Sequence, residues 1–338
     1  MLTTRMLTNR RAAPVGAGLA SPSRRLPGFR APIAVVALCF AAALPMLAQT
    51  PGTITTVAGC CETNGVAAGT IGYSGDGGPA TSAHLYSPVG VAFDSAGDFY
   101  IGDGNNYVVR KVTASTGVIS TVAGCCETPN GLPGSQGYGG DGGPATSAKL
   151  NLPTGVAVDS AGNFYIADTE NCIIRVVNTQ AGAITVAGIA VSPGDIQTVA
   201  GTPDKCGYGG DGGPATSAEL NQPYGVAVDG AGNIDIADSL NCLVRQVNKA
   251  GGISTVAGIV AGAGTQSNCG YAGDNGPATS AWVGTVCGVS VDAGGNIYLG
   301  DCLNDAVRVV NTQASAITVA AVSIPAGAIQ TVAVPSFP

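Results

Sequence analysis

The 338-residue chain carries 14 basic residues, 21 acids, a single histidine, 52 glycines, 20 prolines and 11 cysteines. An apolar content of 45% suffices for a core and excludes a disordered chain, which would be poor in apolar residues. Six of the basic residues lie in the first 48 positions, leaving eight against 21 acids and a net charge of −13. That balance excludes nucleic acid and anionic membrane surfaces as partners, since both need basic patches.

Residues 1–48 contain Arg5, Arg10, Arg11, Arg24, Arg25 and Arg30 and no acid, and end in "APIAVVALCFAAALPMLA". A basic leader, an apolar run and a terminal small residue read as a secretory signal peptide, cleaved after Ala48. The competing reading is an uncleaved anchor, but the run is alanine-rich, broken by Pro45 and marginal for a span. The expected product is residues 49–338, secreted, periplasmic or at the cell surface, and free of the membrane once the signal is removed. Ten cysteines remain after cleavage, an even number that reads as disulfides in an exported chain.

Residues 53–59, "TITTVAG", form a lone strand. A repeat follows. "GDGGPATSA" begins at Gly75, Gly140 and Gly210, and "GDNGPATSA" at Gly273. The units lie near 72–124, 137–201, 207–258 and 270–334. Each reads as four strands. In the second unit these are "GVAVD" (155–159), "NFYIAD" (163–168), "CIIRVV" (172–177) and "TVAG" (198–201), β-branched runs bounded by Gly, Asn and Asp. "DSAGN" between the first two is a tight-turn signal. Units two and four also carry "ITVAGIAVSPGD" and "ITVAAVSIPAGA", each an extra hairpin. Repeated four-stranded sheets with short connections predict an all-β fold, a β-propeller.

"PTGVAVDSAGNFYIADTENCIIRVV" resembles an NHL repeat, and recurs at 88–110, 153–175, 223–245 and, more loosely, 286–308. The string preceding each blade resembles that of secreted bacterial NHL-repeat proteins. The resemblance implies a β-propeller of NHL-type four-stranded blades that binds proteins or other ligands, with a minority of enzymes in the family. Four repeat units are recognisable, fewer than the roughly six blades common in the family. Either four large blades close, or the chain is an arc completed by a partner, with self-association as one route.

No constellation stands out as chemistry. Arg110, Arg175, Arg245 and Arg308 each follow Asp103, Asp168, Asp238 and Asp301 by seven residues, with Asn106, Asn171, Asn241 and Asn304 between. A residue needed by every blade reads as structural, here one ion pair or hydrogen-bonded turn per blade. Asp94, Asp159, Asp229 and Asp292 read as turn-forming side chains. NHL-like amidating and streptogramin lyases depend on histidines and metal. His84 alone supports neither that activity, nor a histidine-based metal site, nor a serine triad. "GYGGDG" at 137–142 lacks the context of a dinucleotide or phosphate loop, and one carboxylate per string is too few for calcium. The string reads as a turn followed by a short helix with Pro144 in its first turn. No catalytic residue, cofactor or metal is therefore expected.

Two departures from the repeat are candidate binding positions. Asp235 stands where the other units have Tyr100, Tyr165 and Tyr298, and Trp282 lies in the divergent fourth unit. The cysteines suggest bridges Cys172–Cys206 and Cys242–Cys269, because a lone loop cysteine appears only where a strand cysteine precedes it. Cys287 and Cys302 fall within reach across a hairpin. The adjacent pairs Cys60–Cys61 and Cys125–Cys126 are expected to self-bond, or else to pair with each other across units. The expected function is a secreted, non-enzymatic scaffold for an unknown protein or small ligand. The alternatives are a carboxylate- or metal-dependent propeller lyase or hydrolase, or a fragment of a larger cell-surface adhesion protein.

Overall fold

The computed structural model describes residues 54–60, 72–125, 136–260 and 269–334. The expected signal peptide, Cys61 and Cys126 lie outside these residues. No helix among the described residues is long and apolar enough to cross a membrane.

The four repeats form four antiparallel sheets. Blade 1 contains β1 (Pro88–Phe93), β2 (Phe99–Asp103), β3 (Val108–Thr113) and β4 (Val118–Ala123). Blade 2 opens with the two-residue β5 (Gly143–Pro144) and continues through β6 (Pro153–Val158), β7 (Phe164–Asp168) and β8 (Ile173–Val177). The hairpin β9 (Ile184–Val186) and β10 (Ile189–Val191) then precedes its outer strand β11 (Asp195–Ala200). Blade 3 contains β12 (Pro223–Val228), β13 (Ile234–Asp238), β14 (Leu243–Val247) and β15 (Ile253–Ala257). Blade 4 contains β16 (Val286–Val291), β17 (Ile297–Asp301) and β18 (Ala306–Val310). The hairpin β19 (Ile317–Val319) and β20 (Val322–Ile324) then leads to β21 (Ile329–Ala333). Both inserted segments are thus hairpins, as expected from sequence.

Local chemistry explains each connection. The first turn of every blade is an Asx turn, with Asp94, Asp159, Asp229 and Asp292 accepting the backbone N–H four residues on at 2.8–3.0 Å. The second is a three-residue 3-10 turn closed by a left-handed residue: Tyr107, Cys172, Cys242 or Asp305. The third strand therefore begins one residue after the position read from sequence. The expected helix after each proline is also only a 3-10 turn, at Ala80–Ser82, Ala145–Ser147, Ala215–Ser217 and Ala278–Ser280. Three residues leave too few backbone hydrogen bonds for an α-helix.

Successive blades meet through their first strands, β1 on β6, β6 on β12 and β12 on β16. At their glycines these joints have no room for a side chain. A Cβ on Gly90 would lie 2.4 Å from Thr154 O, one on Gly155 2.8 Å from Tyr224 O, and one on Gly225 2.9 Å from Gly288 Cα. Outside the glycine contacts, apolar side chains fill the joints. Val156, Phe164 and Ile166 of blade 2 pack on Tyr100 and Val109 of blade 1, and Val226, Ile234 and Ile236 of blade 3 on Tyr165 and Ile174 of blade 2.

No comparable packing joins β16 to β1 among the described residues. A Cβ on Gly288 would meet nothing within 4 Å, and Val91 and Phe93 on β1 are 54% and 63% exposed. The four blades form an arc with two open faces. The lone strand does not complete blade 4, whose β18 already pairs with β21. Residues 54–59 instead run beside blade 1, where the Gly59 N–H donates to Ala80 O at 2.9 Å.

Candidate functional site

The largest buried side chains are the four arginines. Each sits in the same cage. The Arg175 guanidinium donates to the carbonyls of Lys149 (2.8 Å) and Gly139 (3.0 Å) and to Asp141, and Tyr138 stacks on it with its ring centroid 5.4 Å away. Asp168, the acid expected to pair with it, lies 3.6 Å away and also receives the Asn171 amide at 2.9 Å. The closer counter-ion, missed in the sequence, is the aspartate of the "GDGG" string. Arg245–Asp211 and Arg308–Asp274 close to 2.6 and 2.7 Å, against 3.4 and 3.6 Å to Asp238 and Asp301. One signal could have revealed it. The string aspartate precedes its arginine by 34 residues in every unit, although the units themselves differ in length.

The two carboxylates of a cage are not equivalent. Burial pushes Asp103 and Asp238 up to about 6 and Asp168 to about 7, with the arginine and asparagine pulling back. The string aspartate remains partly open to solvent. For Asp76, burial is outweighed by Arg110 and Thr121, which hold its carboxyl below the usual value. Its second oxygen accepts the Thr121 N–H at 2.9 Å, and Asp141, Asp211 and Asp274 hold Thr198, Thr255 and Thr331 at 3.0, 3.1 and 3.2 Å. Each string thus clamps its arginine to its outer strand. The leading glycine is obligatory there. At Gly75, Gly140, Gly210 and Gly273, φ is +87° to +90° and an added Cβ would lie 2.6–2.7 Å from an alanine Cα.

Asp235 is fully buried in β13, paired across to Ala227 and Gln246. Its Oδ1 accepts from Gln246 Nε2 at 2.9 Å, and its Oδ2 has no hydrogen-bond partner among the described residues. Burial raises it to about 7, Gln246 opposes that, and the Asp229 charge adds to it. Asp235 does not itself line a cleft, but its partner Gln246 does: between blades 3 and 4 lies a cleft of about 400 Å³ lined by Asp229, Asn233, Gln246, Val256 and Thr312. Between blades 2 and 3, where Tyr165 keeps the tyrosine, the corresponding cleft is about 300 Å³.

The folded-state pKa of Asp235 lies above its unfolded value. Its contribution to stability is therefore complete below about pH 4 and is lost as pH rises through about 7. Asp103, Asp168 and Asp238 act with the same sign. Between pH 5 and 9 the melting temperature is expected to fall less steeply in Asp235→Asn than in the parent. Thermal unfolding across that range checks this; parallel slopes contradict it.

Trp282 is 38% exposed and lies apart from this cleft, against Gly270, with its carbonyl taken by Arg308 at 2.7 Å. The structure therefore does not bring the two sequence candidates together. Three disulfides match the expected pairs. Cys172–Cys206, Cys242–Cys269 and Cys287–Cys302 have Cα separations of 5.3, 5.5 and 5.9 Å. The last is reached through a bulge at Cys287, since Val286, not Cys287, pairs with Asp301. Cys125 is disulfide-bonded. Cys60 is a free thiol, contrary to the expected Cys60–Cys61 bridge. Its N–H donates to Ala83 O at 2.7 Å, so the segment stays beside blade 1 up to Cys60. No group of three or more potential metal ligands occurs among the described residues.

The sequence profile of the Teneurin NHL domain matches residues 126–192. Teneurin-4 of Mus musculus is 30% identical over 249 residues, covering 70% of this chain and 8% of its own length. Teneurin-1 of the same species is 27% identical over 238 residues, covering 52% and 8%. The chain thus spans only a small part of these relatives. A solved structure, a structural genomics protein of unknown function from Bacteroides thetaiotaomicron VPI-5482, is 18% identical with a TM-score of 0.44, covering 66% of this chain and 46% of that one. Four NHL-type units, each folded as a four-stranded blade around the same arginine cage, and the match to an NHL domain place this chain in the NHL-repeat β-propeller family.

Proposed function

We propose that the chain is an exported, disulfide-braced propeller scaffold without enzymatic activity, binding a ligand in the cleft between blades 3 and 4. Asp235 carries this reading. Every arginine cage is repeated blade by blade and is accounted for by folding. Asp235 occurs once, replaces a tyrosine, and keeps a buried carboxylate oxygen without a protein partner. An unmade hydrogen bond of this kind is costly unless something uses it. Gln246 links the buried Asp235 to the cleft, whose Asp229, Asn233 and Thr312 suit a small polar ligand that forms hydrogen bonds. The disulfides and the basic, apolar leader both favour an oxidising compartment outside the cytoplasm, the periplasm or the cell surface included.

A thermal-shift screen of small polar amines and polyols tests this, run on the parent and on Asp235→Tyr, which restores the residue of the other blades. At least one compound is expected to raise the parent's melting temperature and to leave the variant unmoved. Equal shifts in both proteins, or none in either, would overturn the cleft. Turnover of a bound compound would overturn the non-enzymatic reading.

A further inference from the structure

The joints inside the chain are of two kinds. Between blades 1 and 2, and between blades 3 and 4, sheet meets sheet directly. Between blades 2 and 3 the hairpin β9–β10 takes part, and its tip touches the following blade: a Cβ on Gly251 would lie 2.4 Å from Ala187 O. Blade 4 carries the same hairpin. In β19–β20, Ala320 takes the place of Ala187, both at φ 49°, and the hairpin packs around Val309, Ile324 and Ala328 with Tyr298 beside them. Among the described residues no blade lies beyond it, and the space in front of Gly288 is open.

The matching surface is at the other end of the arc. Gly117 of blade 1 holds the place of Gly251, and a Cβ there would meet nothing within 4 Å. Val91 and Phe93 are exposed where Val226 is buried and Val228 half-buried against blade 2. Both halves of the hairpin joint therefore exist in one chain, at opposite ends, and neither is occupied by the described residues.

We propose that these two faces bind each other in different copies of this chain. Blade 4 of one copy docks head to tail on blade 1 of the next and rebuilds the joint already formed between blades 2 and 3. The contact is heterologous, so copies close into a ring if the rotation allows it and otherwise run on as a filament. Residues 54–59 form part of the joint. Gly59 donates to Ala80 O at the same 2.9 Å as Gly201 to Ala215 O, so this segment already holds the outer-strand seat in front of blade 1. Its Ile54 is 96% exposed, whereas Ile119, Ile196, Ile253 and Ile329, which share its place, are buried.

The test is the mass of the full exported chain by sedimentation and light scattering over a wide concentration range, for the parent and for variants placed on solvent-facing positions. The parent is expected to reach two or more chains per particle. Gly288→Trp on blade 4 and Val91→Asp on blade 1 are each expected to raise the dissociation constant at least about tenfold with unchanged circular dichroism. Mixing the two variants should restore a dimer through the one intact pair of faces. Ile54→Asp should weaken association as well; its failure to do so would remove residues 54–59 from the joint. A monomeric parent, or association insensitive to both Gly288→Trp and Val91→Asp, would overturn the proposal.

Discussion

Arg175→Ala is expected to destabilise the chain by about 3–5 kcal/mol, enough to unfold blade 2 under mild urea. The guanidinium is fully buried and joins four groups from three segments: the string aspartate Asp141, the carbonyls of Gly139 and Lys149, and Asp168 at the end of β7. Removing it leaves the Lys149 carbonyl without its donor and two acids without a cation, and Asp168 is fully buried. Arg175→Lys should recover only part of the loss, because one ammonium cannot reproduce the fork. The same change at Arg110 should cost less, because Asp76 is the most exposed of the four string aspartates and can be resolvated. Urea unfolding followed by tryptophan fluorescence and circular dichroism measures the differences. A loss below about 1 kcal/mol at Arg175 would show that the cage does not hold the blade.

Gly225→Val should be nearly as damaging, for a different reason. The glycine has no special dihedral; it is a glycine because the backbone of blade 4 comes within 2.9 Å of where its Cβ would be. Backbone cannot rotate away as a side chain can, so β12 and β16 would have to separate along their length. The expected cost is on the order of 3 kcal/mol, the upper part of the overpacking range.

Much of this architecture can be read from residues, and its misreadings share a cause. Strands, Asx turns, inserted hairpins and the long-range cysteine pairs depend on local patterns that recur four times. The lone strand, the cage and the ends of the arc depend on what lies across a joint. "PVGVAF" and "PTGVAV" are nearly the same sequence, yet Val91 is exposed and Val156 buried, because only the second has a blade in front of it. The partnership of Asp76 with Arg110 was hidden because the string looked like a loop on its own. The constant spacing of 34 residues between the two was its only trace. Asp235 could be singled out from sequence because it breaks the pattern, but its burial and its unpartnered oxygen needed the folded blade.

Four blades stack in series through glycine contacts and, among the described residues, leave both ends open. Thermal unfolding of Gly288→Val beside Gly225→Val tests this most directly, with the protein dilute enough to be monomeric. The two glycines share one place in the repeat. The open arc predicts a clear fall in melting temperature for Gly225→Val and a value within experimental scatter of the parent for Gly288→Val. Equal destabilisation by both would mean that blade 4 packs on blade 1 and that the ring is closed.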